Sequence, residues 1–358
     1  MLAAKVDRSS AGAVCRAAAL IAMAVATQGA TSPFAGLRSD LVATQRDYTA
    51  AQLRVAAEHG PDIALLFSAR LNDDERALEK AEQVPSGFTA ADWDETLRTE
   101  ISLDLSAVHQ MLDRRYQTIS KQPGLREVFI NSSVDGTMQP AALYVPAGPD
   151  KPRPLVILLH GHEQSEAQIL GPPFFRRLAD RTGSIVLAPY ARAHYFYAEP
   201  GATDVYDALR AARDALPVDP RHVYLVGYSM GGYSLFRLGP RSGAPWTAVM
   251  CISGSVLNDE MRTVLEVWRE MPVYVVTGAH DDVVPTKDGE ATALALYQNG
   301  LPVSFYQEPS GTHSIHTLIP SLSAAWHDMH GGIVRGVGST ADAPNRLPYS
   351  AREKLNRP

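Results

Sequence analysis

The chain has 358 residues, 45% hydrophobic and 20% charged content, and a formal charge of −6. These values fit a globular protein with a large core and exclude wholesale disorder; at about 100–200 residues per domain they suggest two or three units. With negative net charge and no run of Lys or Arg, the chain lacks the basic field that nucleic-acid binding needs.

At the amino terminus Lys5, Arg8 and Arg16 precede an apolar run from Ala17 to Ala26. This pattern predicts a secretory signal peptide over residues 1–30, with small residues at Ala24 and Ala26 for cleavage before Thr27 and Gln28-Gly29-Ala30 as a second choice. The run is short for a hydrocarbon layer of about 30 Å. A secreted or periplasmic protein without a stable membrane anchor is therefore expected, against a retained signal anchor or a cytoplasmic protein with a frayed helical start. Cleavage would remove Cys15 and leave Cys251 without a partner for an internal disulfide, so packing must hold the fold. Cys251 lies in an apolar stretch that suits a buried, inert thiol.

Residues 37–120 are rich in helix formers. Leu37, Leu41, Tyr48, Ala51 and Val55 form one apolar stripe, and Ile63, Leu66 and Phe67 a shorter one. Thr89 is a candidate N-cap with Asp92 three residues on, followed at helical spacing by Trp93, Leu97, Ile101, Leu105, Val108, Leu112, Tyr116 and Ile119. Helix-on-helix packing explains these stripes; a lid or a dimer surface is the sharper alternative.

From 125 to 330 the period changes. Leu125–Asn131 and Ala141–Val145 read as a hairpin around Asp135-Gly136. Leu155–Leu159, Ile185–Ala188, Val223–Val226, Ala248–Ile252, Val273–Val276 and Val303–Tyr306 read as strands buried on both faces. Helical segments at Phe174–Arg181, Thr203–Ala215, Gly231–Leu238, Pro285–Asn299 and Ile315–Asp328 alternate with them. The alternation predicts an α/β fold with a mostly parallel central sheet flanked by helices, plus the N-terminal helical region. Residues 331–358 read as an irregular tail.

Gly227-Tyr228-Ser229-Met230-Gly231 has the form GxSxG. Chance alone yields on the order of 0.1 such motifs in a chain this long, so its placement between a strand and a helix carries the weight. A sharp turn there lifts Ser229 above the sheet as a nucleophile. A serine hydroxyl needs an imidazole to take its proton and a carboxylate to orient that imidazole. Gly278-Ala279-His280-Asp281-Asp282 follows a strand and offers Asp281 as the acid, with Asp282 as rival; either could instead cap the next helix. Of the histidines downstream, His313 lies in a loop directly after a strand and is the preferred base, with His316 as fallback. For the developing oxyanion, the backbone N–H groups of Met230 and His162 are the candidate donors. His160, His162 and Glu163 otherwise read as a polar turn; with no HExxH helix or cysteine set, neither metal nor other cofactor is expected. In the loop after the strand at Ile185–Ala188, Arg192 is a candidate to hold an acidic substrate group, and Tyr195, Phe196 and Tyr197 are candidates for an aromatic wall, against ordinary loop packing.

Together His160-Gly161, Gly227-Tyr228-Ser229-Met230-Gly231-Gly232, Gly278-Ala279-His280-Asp281 and Gly311-Thr312-His313 resemble the α/β-hydrolase superfamily over about residues 125–330. The resemblance is to the branch shared by dienelactone-hydrolase-like and polyhydroxybutyrate-depolymerase-like esterases and prolyl-oligopeptidase-like peptidases. It implies an acyl-enzyme on Ser229, no diffusible cofactor, and a small-molecule ester substrate. The N-terminal helical region is not part of that core fold, and no propeller domain can be found, which favours an esterase over a peptidase. A serine peptidase or an acyltransferase with the same triad is the alternative, and a non-catalytic binding protein on the same scaffold is an alternative of another class.

Overall fold

The computed structural model describes residues 33–193 and 197–337. The proposed signal segment and residues 338–358 lie outside the described residues.

The chain opens with three helices, α1 (Ala35–His59), α2 (Pro61–Glu79) and α3 (Ala90–Asp113). Their stripes meet in a common core of Leu41, Tyr48, Val55, Phe67, Leu71, Leu97, Ile101 and Val108. Each large apolar side chain buried there contributes about 1.5–3 kcal/mol, and the Tyr48 hydroxyl is satisfied by donating to the Ala64 carbonyl at 3.0 Å. The expected cap forms, with Thr89 Oγ1 accepting from the Asp92 N–H at 3.1 Å. The stripe through Tyr116 and Ile119, however, outruns the helix. Arg114 turns left-handed (φ 55°, ψ 37°) and ends α3, because the chain beyond is claimed by the sheet. The Phe129 N–H bonds to the Gln117 carbonyl at 2.8 Å, and the Gln110 side chain joins the Gln117 N–H to the Glu127 carbonyl.

Among the described residues one sheet of eight strands follows: β1 (Gly124–Asn131), β2 (Met138–Val145), β3 (Arg153–Leu159), β4 (Ile185–Pro189), β5 (Val218–Tyr228), β6 (Ala248–Ile252), β7 (Val273–Gly278) and β8 (Val303–Glu308). Their spatial order is β1-β2-β4-β3-β5-β6-β7-β8. β1 and β2 form the antiparallel hairpin at the edge, β2 pairs antiparallel with β4, and the remaining pairs are parallel. Parallel strands need crossovers, which place helices on both faces. These are α4 (Glu166–Leu170), α5 (Pro173–Thr182), α6 (Gly201–Ala215), α7 (Met230–Leu238), α8 (Asn258–Val267), α9 (Thr286–Gln298) and α10 (Ile319–Gly331). Two cores result. Leu155, Ile157, Leu225 and Val275 face one side of the sheet, and Val156, Leu158, Val226 and Val276 the other. α4 and α8 escape a periodicity reading because one has five residues and the other buries only Val264.

This is the α/β-hydrolase fold, with a helical region added in front. The parallel strands deliver their carboxyl ends to one rim, where ligand-binding loops of open α/β sheets gather.

Candidate active site

Ser229 sits between β5 and α7 at φ 52°, ψ −115°, a conformation costing of the order of 1–3 kcal/mol for a non-glycine residue. The glycines of the motif supply space. A Cβ on Gly227 would lie 2.1 Å from the Gly231 carbonyl oxygen, and one on Gly231 would lie 2.5 Å from the Leu159 carbonyl oxygen. The turn is thus packed backbone against backbone, and the Ser229 N–H donates to the Ile252 carbonyl at 2.9 Å.

Asp281 and His313 arrive from the loops after β7 and β8. These loops are laced together by the His280 N–H donating to the Gly311 carbonyl at 2.8 Å and the Ala279 N–H donating to the Glu308 carbonyl at 2.9 Å. A Cβ on Gly278 would stand 2.5 Å from Gly311 backbone, so glycine is what lets the loops close. His313 Nδ1 lies 3.0 Å from each Asp281 carboxylate oxygen, and its Nε2 lies 3.0 Å from Ser229 Oγ. The Asp281 carboxylate is buried, and its Oδ1 also accepts from the Val283 and Val284 N–H groups at 3.1 and 2.8 Å. Burial pushes the Asp281 pKa up, but the hydrogen bonds from His313 and the Val284 N–H outweigh it and hold it below the usual carboxylate value. An ionised Asp281 fixes the His313 proton on Nδ1 and leaves the Nε2 lone pair facing the serine hydroxyl.

The rival residues stand elsewhere. Asp282 is exposed. His316, in the 3₁₀ turn Ile315–Leu318, packs at a tilt against Phe88 with ring centroids 3.7 Å apart, and burial lowers its pKa to about 4.

Met230 opens α7, so its N–H has no intrahelical acceptor. His162 lies in the turn after β3 with an exposed ring. Its neighbour Gly161 donates its own N–H to Gln164 Oε1 at 3.0 Å. His160 is buried with its ring facing the Gly161 and Tyr190 carbonyls at 2.9 and 3.0 Å, a structural placement; burial lowers its pKa, against the two carbonyls that raise it. Among the described residues no cluster of three or more His, Cys, Asp or Glu side chains could hold a metal ion.

Two substrate expectations require correction. Arg192 is not free for an acidic substrate: it is committed to Asp204 and Asp135, each at 2.6 Å, and to Ser132 at 3.0 Å. It ties the β1–β2 turn to α6. Tyr197 is no exposed wall; it is buried and its hydroxyl donates to the His160 carbonyl at 3.2 Å. Tyr195 and Phe196 lie outside the described residues.

Sequence reasoning gave Tyr228 no role, yet its hydroxyl donates to the His313 carbonyl at 2.6 Å and its ring walls the space above Gly161. It also missed α4, whose start was legible: Ser165 and Gln168 form a reciprocal capping box.

No known family profile matches the sequence. A curated relative, the candidate esterase NocK of Nocardia uniformis subsp. tsuyamanensis, is 29% identical over 183 residues, 48% of this chain and 52% of that protein. The match therefore spans about half the length of the relative. Among solved structures, the fluorophosphonate-binding serine hydrolase FphF of Staphylococcus aureus superposes with a TM-score of 0.52 at 15% identity, covering 58% of this chain and 99% of its own. The S-formylglutathione hydrolase FrmB of the same organism gives 0.50 at 15% identity, covering 59% and 98%. At these identities the likeness is one of fold.

Proposed function

We propose that the chain is a serine hydrolase that cleaves carboxylic esters through an acyl-enzyme on Ser229. The observation that carries this reading is the continuous chain Asp281–His313–Ser229, with every link at 3.0 Å, ending on a serine held at a positive φ. Ser229 Oγ attacks the ester carbonyl as His313 Nε2 takes its proton. The Met230 and His162 N–H groups stabilise the oxyanion, a contribution of about 2.7–4 kcal/mol for one such donor. His313 then protonates the leaving alcohol, activates water by the same nitrogen, and the acid is released from Ser229. The proposed esterase activity also agrees with the names of the relative, a candidate esterase, and of the fold neighbours, a fluorophosphonate-binding serine hydrolase and an S-formylglutathione hydrolase. Export to a secreted or periplasmic location belongs to the same proposal, and sequencing the amino terminus of the mature protein tests it.

The test is mass-spectrometric mapping of fluorophosphonate labelling on the wild type and on Ser229→Ala and His313→Ala. Modification at Ser229 that vanishes in both variants, with short aryl esters hydrolysed faster than peptide amides, is the expected result. A folded wild type that resists labelling and hydrolyses no ester would refute the reading and favour a binding protein on this scaffold.

A further inference from the structure

The proposed reaction leaves the three N-terminal helices without a task, although their contact with the catalytic sheet holds an unusual arrangement of buried charge. Arg70 of α2 is almost fully buried and places its guanidinium on both oxygens of Glu166, at 2.6 and 2.7 Å, with Asp104 of α3 at 3.0 Å on the same nitrogen. The guanidinium also lies over the Phe67 ring at 4.7 Å and the Tyr190 ring at 5.2 Å. Bidentate pairing fixes orientation as well as distance, which a point charge does not.

Two of these partners, Glu166 and Tyr190, lead to the loop that carries the His162 N–H. Glu166 is the first residue of α4, directly after the capping residue Ser165, and Gln164, one residue earlier, holds the Gly161 N–H. Tyr190 offers its carbonyl to the His160 ring, which stacks beside it with ring centroids 6.4 Å apart. The clamp is pressed from a second side, since the space above Gly171, at the end of α4, is filled to 2.4 Å by Glu100 Cγ of α3. A bare packing contact would not need a buried ion pair, because apolar residues of similar volume serve stability as well or better.

We infer that Arg70 is a positioning residue, and that the helical region is a clamp which sets the loop 160–166, and with it the His162 N–H, for oxyanion stabilisation. This inference rests on the proposed role of that N–H. An oxyanion donor acts through its placement against the charge that develops in the transition state, so loosening the loop lowers kcat while ground-state binding changes little.

The experiment compares Arg70→Lys, which keeps the charge and loses the two-point fork, with Leu41→Ala, which opens a cavity in the helical core at α1 and leaves Arg70 and its partners in place. Glu166→Gln serves as a second clamp variant should Arg70→Lys not fold. Each full chain is assayed for kcat and KM on a short aryl ester below its melting temperature, and for amide hydrogen exchange in peptides covering residues 160–170. The clamp variants should lose about ten- to a hundredfold in kcat, the scale of a sub-ångström to 1 Å misplacement, with KM within about twofold and faster exchange at 160–170. Leu41→Ala should melt earlier yet keep kcat and the protection of 160–170. Wild-type kcat in a folded clamp variant, unchanged exchange at 160–170, or kcat losses that merely follow melting temperature across all variants would overturn the inference. If the wild type hydrolysed no ester, the reading of Ser229 would fall, and the exchange comparison would still decide whether Arg70 holds the loop.

Discussion

Replacing Gly227 by Ala tests whether space at the serine turn is what the motif's first glycine provides. The added Cβ would meet the Gly231 oxygen at 2.1 Å, the Gly231 carbonyl carbon at 2.4 Å and the Gly232 nitrogen at 2.9 Å. Ordinary contact begins near 3.5 Å, so backbone must yield by about 1 Å. These atoms are the first turn of α7, which carries Ser229 at its cap and the Met230 N–H at its start. A shift of that size costs about a hundredfold in rate, and overpacking of this kind costs about 1–3 kcal/mol in stability. The assay pairs kcat on a short aryl ester with the melting temperature. Gly36→Ala is the control: it lies in α1 with nothing within 4 Å of its added Cβ, and should be neutral or stabilising by up to ~1 kcal/mol. A Gly227→Ala protein with wild-type melting and kcat within threefold would refute the reasoning.

Asp281→Asn should lower kcat by about 10³–10⁴-fold through the wrong His313 tautomer, while Asp282→Asn, at an exposed side chain, should stay within threefold; steady-state kinetics of the two decides between them. Ser229→Gly should abolish turnover yet raise stability by about 1 kcal/mol or more, because glycine accepts the positive φ without strain; thermal unfolding reads this, and a lower melting temperature would contradict it. Arg192→Ala should destabilise the protein, by ~1–3 kcal/mol for the buried Asp204 left without its cation, and leave KM for neutral and acidic esters in the same ratio. Burial raises the Glu127 carboxyl well above its usual value, with Glu166 and Asp104 pushing the same way and Arg70 opposing. A carboxyl whose pKa is raised in the folded state contributes stability at low pH that is lost as pH rises past the unfolded value. Glu127→Gln, neutral at every pH, should therefore gain stability over the wild type at pH 8 and lose that advantage near pH 4, measured by urea denaturation at both; an advantage independent of pH would contradict the sign.

Much of the fold was legible because its causes are local. Strands buried on both faces must be short apolar runs, and Val223–Val226 or Val273–Val276 can be little else; amphipathic stripes mark the helices between them. The position of Ser229 was legible for a related reason, since a strand, a glycine-flanked turn and a helix in immediate succession leave the backbone few options. Their lengths were less legible where long-range pairing decides: α3 stops at Asp113 because Gln117 pairs with Phe129, against a stripe that continues to Ile119. The choice between Asp281 and Asp282 is likewise tertiary, for adjacent carboxylates look alike in sequence and only the fold buries one against the His313 ring and the Val283 and Val284 N–H groups. Arg192 and Tyr197 carry residue types that suit a binding loop, and nothing local reveals that Asp204, Asp135 and the His160 carbonyl already occupy them. Most elements could be read from the residues alone, because backbone and solvent preferences act over a few residues. The tertiary structure alone decided which polar side chains are spent on each other, as with Arg70 and Glu166, because that depends on contacts between residues 96 positions apart.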